Sequence, residues 1–248
     1  MIRLLILGGT GEAAALAAAV QRRFGRRIET ISSLAGRTRQ PRELPGRVRT
    51  GGFGGADGLA RYLHETGIDL VVDATHPYAA QISANARMAC NVAGVPRLML
   101  VRPPWTMQAG DSWIVVPNAA EAARRLPELG TRAFLALGSA DVSAFAGLEG
   151  VVLLLRVAEE PGRPPLPGAE WIVGRGPFAE TDELRLLTAW RIDAVVSRNS
   201  GGTATIGKIA AARQLAIPVI MLERPPLEPG VCICDLKEAV EWIAEKLT

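Results

Sequence analysis

The chain has 248 residues, 48% apolar and 21% charged, with a formal net charge of +3. This is enough chain for one large domain or two small ones with a sizeable core. No apolar run approaches the roughly 20 residues needed to cross a bilayer, and the run Leu4 to Leu7 is too short for a signal peptide, so a soluble cytoplasmic protein without membrane partners is expected.

Residues 2–7 read as a short apolar strand and 11–24 as an alanine-rich helix. Between them Gly9-x-Gly11-x-x-Ala14 fits the dinucleotide fingerprint. Gly9 permits the tight turn, Gly11 lets a pyrophosphate approach the backbone, and Ala14 lets the helix pack close to the strand. The free N–H groups and positive dipole end of the helix suit phosphate. A plain βα turn has the same look, so the following strand ends carry the decision. The next strand, 28–33, ends in Ser32-Ser33-Leu34-Ala35-Gly36-Arg37. An NAD site places an acid there for the ribose 2′-OH. Ser32, Ser33 and Arg37 in its place favour a 2′-phosphate, hence NADP(H). Strand 47–50 runs into Gly51-Gly52-Phe53-Gly54-Gly55, which suits either a flat ligand or a flexible turn. After helix 56–66 and strand 69–73 comes Asp73-Ala74-Thr75-His76-Pro77-Tyr78. An imidazole and a phenol where helix 78–92 begins can hold a substrate or move a proton. Strand 96–101 closes this half.

Arg102-Pro103-Pro104-Trp105 breaks the pattern, because proline cannot donate to a ladder. An inter-domain link is expected over 102–112, dividing the chain into domains 1–104 and 105–248. The second half repeats the alternation, with strands 113–116, 133–137, 151–155, 171–174, 193–197 and 218–222. Its helices are expected at 118–127, 141–146, 180–190, 203–214 and 235–247, and a proline-rich loop at 161–168. Helices between β-rich runs make both sheets parallel and covered on both faces, although strands could exchange between the halves. Gly138-Ser139-Ala140-Asp141 reads as a helix cap. Ser197-Arg198-Asn199-Ser200-Gly201-Gly202-Thr203, opening a helix that reaches Lys208, reads as a cradle for acid groups. Gly202 to Lys208 nearly spells a P-loop, but Ile209 stands where Mg²⁺ needs Ser or Thr.

Several chemistries lack their parts. Neither Tyr62 nor Tyr78 is followed by Lys four residues on, and there is no Gly-x-Ser-x-Gly elbow or His-Glu-x-x-His helix. Cys90, Cys232 and Cys234 form no disulfide framework, Cys232-x-Cys234 has the wrong spacing for zinc or redox pairs, and both histidines, His64 and His76, lie far away in sequence, so no metal is expected. Of the 28 basic residues 25 are Arg. Either genome composition or a ligand with many acid groups accounts for this. The densest cluster, Arg37, Arg39, Arg42, Arg47 and Arg49, is poor in aromatics, so nucleic acid is not an expected partner. Dinucleotide binding without an acid–base dyad suits hydride transfer to an already electrophilic acceptor, such as a conjugated imine.

Gly8-Gly9-Thr10-Gly11-Glu12-Ala13, Ser33-Leu34-Ala35-Gly36-Arg37, Asp73 to Ala79 and Ser197 to Gly202, in this order, resemble the precorrin-6A reductases of cobalamin biosynthesis. The stretch Ile217 to Pro225 is similar to that family as well. The resemblance implies an α/β protein of two Rossmann-like domains with mostly parallel sheets. It also implies an NADPH-dependent oxidoreductase acting on a CH–CH bond of a large tetrapyrrole with many carboxylates. Hydride would go to C19 of the macrocycle and a proton to C18. On this reading Gly9, Thr10, Gly11 and Glu12 form the pyrophosphate turn, and Ser32, Ser33 and Arg37 hold the 2′-phosphate. Thr75, His76 and Tyr78 line the junction of nicotinamide and macrocycle, with His76 and Tyr78 as catalytic candidates. Ser139, Arg198, Asn199, Ser200, Gly201, Gly202 and Thr203 hold substrate carboxylates from the second half. A cobalt-containing substrate and a non-catalytic NADP sensor stay open as alternatives. A methyltransferase or a sugar-nucleotide enzyme is disfavoured by the missing acid after the second strand. Oligomeric state is open, with a monomer as the expectation.

Overall fold

Leu4 and Ile6 pack on one side of the first strand and Leu5 and Leu7 on the other, all four almost fully buried. A strand apolar on both faces belongs inside a parallel sheet covered by helices. A computed structural model describes residues 1–36, 43–162 and 164–247 and has that arrangement twice. One unit comprises Met1–Pro103 and the C-terminal stretch from Pro225; the other is Pro104–Arg224.

In chain order the first run is β1 (Ile2–Leu7), α1 (Gly11–Phe24), β2 (Ile28–Leu34), β3 (Arg47–Thr50), α2 (Gly55–Thr66), β4 (Leu70–Asp73), α3 (Ala80–Ala93) and β5 (Arg97–Leu100). The middle run is β6 (Trp113–Val116), α4 (Ala119–Arg125), β7 (Arg132–Ala136), α5 (Ser139–Val142), β8 (Val152–Val157), β9 (Glu170–Val173), α6 (Glu180–Ala189), β10 (Ala194–Arg198), α7 (Gly207–Gln214) and β11 (Val219–Leu222). The chain ends with β12 (Val231–Ile233) and α8 (Leu236–Glu245).

The first sheet runs β12-β5-β4-β1-β2-β3, every pair parallel. This is the doubly wound order, with β12 in the sixth place. Leu4 and Ile6 share a core with Leu16, Ala17 and Val20 of α1 and Ala239 and Ile243 of α8. Leu5 and Leu7 share another with Leu59 and Leu63 of α2 and Ala86 and Cys90 of α3. Full burial of each such leucine contributes roughly 1.5–3 kcal/mol.

The second sheet runs β6-β11-β10-β7-β8-β9, again all parallel. Its core includes Phe134, Leu154, Leu187, Val195, Ile209 and Met221, with Trp105 buried against them. Read from β7, the order matches that of the first sheet, and the edge next to β11 is filled by β6, which precedes β7 in the chain.

Three expectations are corrected. Residues 105–248 are not one domain, because β12 pairs in register with β5 and α8 joins the core of the first unit. The apolar face of α8 is satisfied there, and β12 was not expected as a strand at all. Trp105 is not linker: its indole donates to the Gly202 carbonyl at 2.7 Å. The helix expected over 203–214 begins only at Gly207, because Gly201 and Gly202 take positive φ (70° and 68°) and turn the chain first.

Candidate functional site

In an open parallel sheet, ligands lie beyond the carboxyl ends of the strands where the order reverses. In the first unit that point is between β1 and β4. The chain leaves β1 through Gly9, whose φ of 103° suits glycine. Thr10 caps α1 by accepting from Ala13 N at 3.1 Å and donates to the Ala74 carbonyl at 2.7 Å. The turn is therefore fastened to the end of β4. Gly11 opens the helix, and a side chain built there would meet nothing within 4 Å. The first turn of α1 thus has open space beside Gly11, which is the room an incoming phosphate requires. The small helix residue facing the strand is Ala13, which is buried; a Cβ on Gly8 would lie 3.3 Å from its own. Ala14 is only half-buried, so the close approach expected of it belongs to Ala13. Glu12 would repel a pyrophosphate, but its carboxylate accepts from Arg102 Nη1 at 2.7 Å.

At the end of β2, Ser32 is 2% exposed and its hydroxyl has no hydrogen-bond partner among the described residues. It is sealed in the sheet, which removes it from direct reach of a ligand. Ser33 Oγ accepts from Arg49 Nη1 at 2.8 Å. Arg49 also donates to the Gly51 and Gly52 carbonyls, each at 3.0 Å, and its guanidinium lies 3.7 Å from the centre of the Phe53 ring. The glycine-rich stretch after β3 is thus a turn that wraps one arginine. Arg37 lies outside the described residues, as do Arg39 and Arg42.

After β4, Thr75 donates to Asp73 Oδ1 through its hydroxyl (2.6 Å) and its backbone N–H (3.1 Å). The Tyr78 backbone N–H donates to His76 Nδ1 at 3.3 Å, which leaves the proton of a neutral imidazole on Nε2. The rings of His76 and Tyr78 lie 5.7 Å apart, both half-buried, in the connection that precedes α3. Tyr78 therefore sits before the helix rather than in it.

In the second unit the order reverses between β7 and β10. Arg198, the last residue of β10, donates through Nε to Asp141 Oδ2 at 2.7 Å. A Cβ on Gly138 would lie 2.7 Å from Arg198 Nη1, so only glycine lets the guanidinium rest there. Asp141 holds Arg198 and makes no cap, since α5 lacks a side-chain cap bond. Ser139 and Thr203 are exposed and Ser200 is half-buried, whereas Gly201 is buried. The Asn199 amide is committed to Trp105, accepting from its N–H at 2.8 Å and donating to its carbonyl at 3.0 Å. These two bonds fix the amide against Trp105 at the edge of the cradle. Because α7 starts at Gly207, residues 200–203 form a glycine turn away from any helix N-terminus.

Lys208, one residue into α7, is 4% exposed. Its Nζ donates to the Thr205 carbonyl at 2.7 Å and lies 4.8 Å from the Trp105 ring. Burial pulls its pKa down to about 7, Glu183 opposes this, and Arg156 adds to it. Glu183 itself is buried and bonded to Arg156.

Sequence reasoning passed over Asp73, Asp141 and Arg102 as site-forming residues. The signal for Asp73 was an acid closing an otherwise apolar strand, Leu70-Val71-Val72-Asp73.

Two units with Rossmann-like strand order, the first carrying a glycine turn at its reversal point, define a Rossmann-like α/β protein. The precorrin-6x reductase CbiJ/CobK family matches residues 3–244. The chain belongs to this family. It is 48% identical over 244 residues to a precorrin-6A reductase of Rhodococcus erythropolis, covering 98% of each chain. It is 44% identical over 247 residues to one of Mycobacterium tuberculosis, again covering 98% of each. A cobalt-precorrin-6A reductase of Priestia megaterium is 26% identical over 255 residues. A solved CobK precorrin-6A reductase superposes with a TM-score of 0.92 at 42% identity, covering 99% of this chain and 97% of that one. Among the described residues, no helix is long and apolar enough to cross a membrane.

Proposed function

We propose that the protein is an NADPH-dependent precorrin-6A reductase, which reduces a carbon–carbon double bond of the tetrapyrrole to a CH–CH bond, giving precorrin-6B in cobalamin biosynthesis. The observation that carries this reading is likeness over essentially the whole chain to precorrin-6A reductases at 43–48% identity. Relatives described as cobalt-precorrin-6A reductases are 26–30% identical, which favours the metal-free substrate.

The residues fit a phosphorylated dinucleotide. Open space at Gly11 faces the first turn of α1, Arg102 neutralises Glu12, and the strand end at Ser33 carries Arg49 and no acid. Gly9, Thr10, Gly11 and Glu12 hold the pyrophosphate. Arg49, held by Ser33, binds the 2′-phosphate together with Arg37, and Thr75 contacts the nicotinamide end. Bound NADPH would supply the hydride for C19, and a proton would enter at C18. His76, its proton on Nε2, and Tyr78 are the groups at this strand end able to orient the macrocycle or pass that proton. Proximity and orientation supply much of the rate toward an electrophilic acceptor. Arg198, Ser139, Ser200 and Thr203, with the backbone of Gly201 and Gly202, bind substrate carboxylates, and Arg198 provides the fork. The enzyme works as a cytoplasmic monomer, with no nucleic-acid partner.

The test is anaerobic NADPH oxidation with precorrin-6A, followed by absorbance and product mass, with NADH run beside it. A product heavier by two hydrogens, with NADPH preferred, is the expected result. Tight NADPH binding without turnover would move the function to a cobalt-containing substrate or a sensor.

A further inference from the structure

The carboxylate that ends β4 is only half accounted for. Asp73 is 3% exposed, and its Oδ1 takes both hydrogen bonds from Thr75. Its Oδ2 is buried and has no partner among the described residues. Such an oxygen has lost its hydration and gained nothing from the protein, a condition native structures seldom leave uncorrected.

Beside it lies a cavity of about 20 Å³ lined by Asp73, Thr75, His76, Ser83 and, from the C-terminal stretch, Pro226 and Glu228. A single water needs roughly 10–15 Å³ and two or more polar partners. The space therefore has room for one ordered water. Ser83 Oγ stands 3.4 Å from Thr75 Oγ1, whose proton goes to Asp73 at 2.6 Å. Ser83 is thus a natural second partner for a water on Oδ2. An anion is disfavoured, because Glu228, paired with Arg87 at 2.6 Å, brings a second carboxylate to the same wall.

We propose that one ordered water occupies this cavity, bridging Asp73 Oδ2 and Ser83 Oγ, and that Asp73 is a positioning residue that holds Thr75 and His76 at the end of β4. The water stands on geometry alone; the catalytic consequence rests on the reductase reading.

A high-resolution crystal structure of the full chain, with kinetics of Asp73→Asn and Ser83→Ala, tests this. The expected density is one water within hydrogen-bond distance of both atoms, lost or displaced in Ser83→Ala. Asp73→Asn should lower kcat about 10- to 100-fold through misplacement of Thr75 and His76, with KM for NADPH changed less than about threefold. Ser83→Ala should show the same split at about 3- to 10-fold. An empty cavity overturns the bridging water. Wild-type kcat in both variants, or a loss confined to KM, overturns the positioning role. If Asp73→Asn does not fold, Ser83→Ala carries both readouts. A wild-type protein that does not turn over precorrin-6A would sink the reductase reading instead. The positioning role is then decided by the crystal structures of the variants, where unmoved Thr75 and His76 side chains would overturn it.

Discussion

Thr10 Oγ1 donates to the Ala74 carbonyl at 2.7 Å while it accepts from Ala13 N at 3.1 Å. One hydroxyl thus joins the glycine turn after β1 to the connection after β4, the two segments that flank the reversal point of the first sheet. Thr10→Ala loses the cap and should cost about 1 kcal/mol of stability. It should also raise KM for NADPH several-fold, whereas Thr10→Ser keeps both properties. Urea unfolding and steady-state kinetics measure the two effects, and an Ala variant equal to wild type in both would remove this role.

Arg49 stands over the Phe53 ring, 3.7 Å from its centre, and donates to Ser33 through Nη1 and to the Gly52 carbonyl through Nη2. Arg49→Ala should raise KM for NADPH by at least about tenfold, the worth of one charge-assisted pair, and change KM for NADH little. Arg49→Lys should not rescue it, since lysine has neither the fork nor the flat face. Equal effects on both dinucleotides would place the 2′-phosphate elsewhere, and Arg37→Ala would then be the informative variant.

The Arg198–Asp141 pair is partly buried on both sides, with side chains 17% and 24% exposed. A double-mutant cycle with Arg198→Ala and Asp141→Ala should give a coupling of about 1–2 kcal/mol, above that of a surface pair. Arg198→Ala should raise KM for the tetrapyrrole and leave that for NADPH near wild type. A rise confined to NADPH would contradict the assignment of this cradle to substrate.

Lys208 gives a pH dependence of stability. Its folded pKa, about 7, lies below its ordinary value of 10.5 because burial penalises the charge. Between those values the unfolded chain holds a proton that the folded chain lacks, so stability rises with pH. The contribution is flat below about pH 6 and grows by at most ~1.4 kcal/mol per unit above it. Lys208→Met should flatten this limb and raise the unfolding midpoint at pH 6 more than at pH 9. Chemical unfolding at both pH values checks the sign.

Much of this architecture is written locally. The run Leu4 to Leu7 alternates between two buried faces, so its neighbours had to be helices on both sides and its partners parallel strands. The glycine turn, the capping threonine and the acid-free end of β2 could be placed from residue types alone, because turn chemistry and helix starts depend on a few adjacent residues. The rest required the chain to meet itself. β12 is only three residues long, too short for any period, and it is a strand because β5 offers it an open edge. Ser32 and Ser33 are adjacent and alike in sequence. Both are buried, and their different fates, the hydroxyl left without a partner among the described residues or bonded to Arg49, follow from the surroundings each meets in the folded sheet. Asn199 reads as a ligand-binding amide, but in the fold Trp105, 94 residues earlier in the chain, bonds both its oxygen and its nitrogen. Asp141 reads as a cap until Arg198 arrives at the same strand end. Propensity and periodicity are properties of neighbours in sequence, whereas the partners of a buried polar group are chosen by packing. The elements were therefore legible beforehand, and the bonding of the polar side chains at the strand ends came only with the fold.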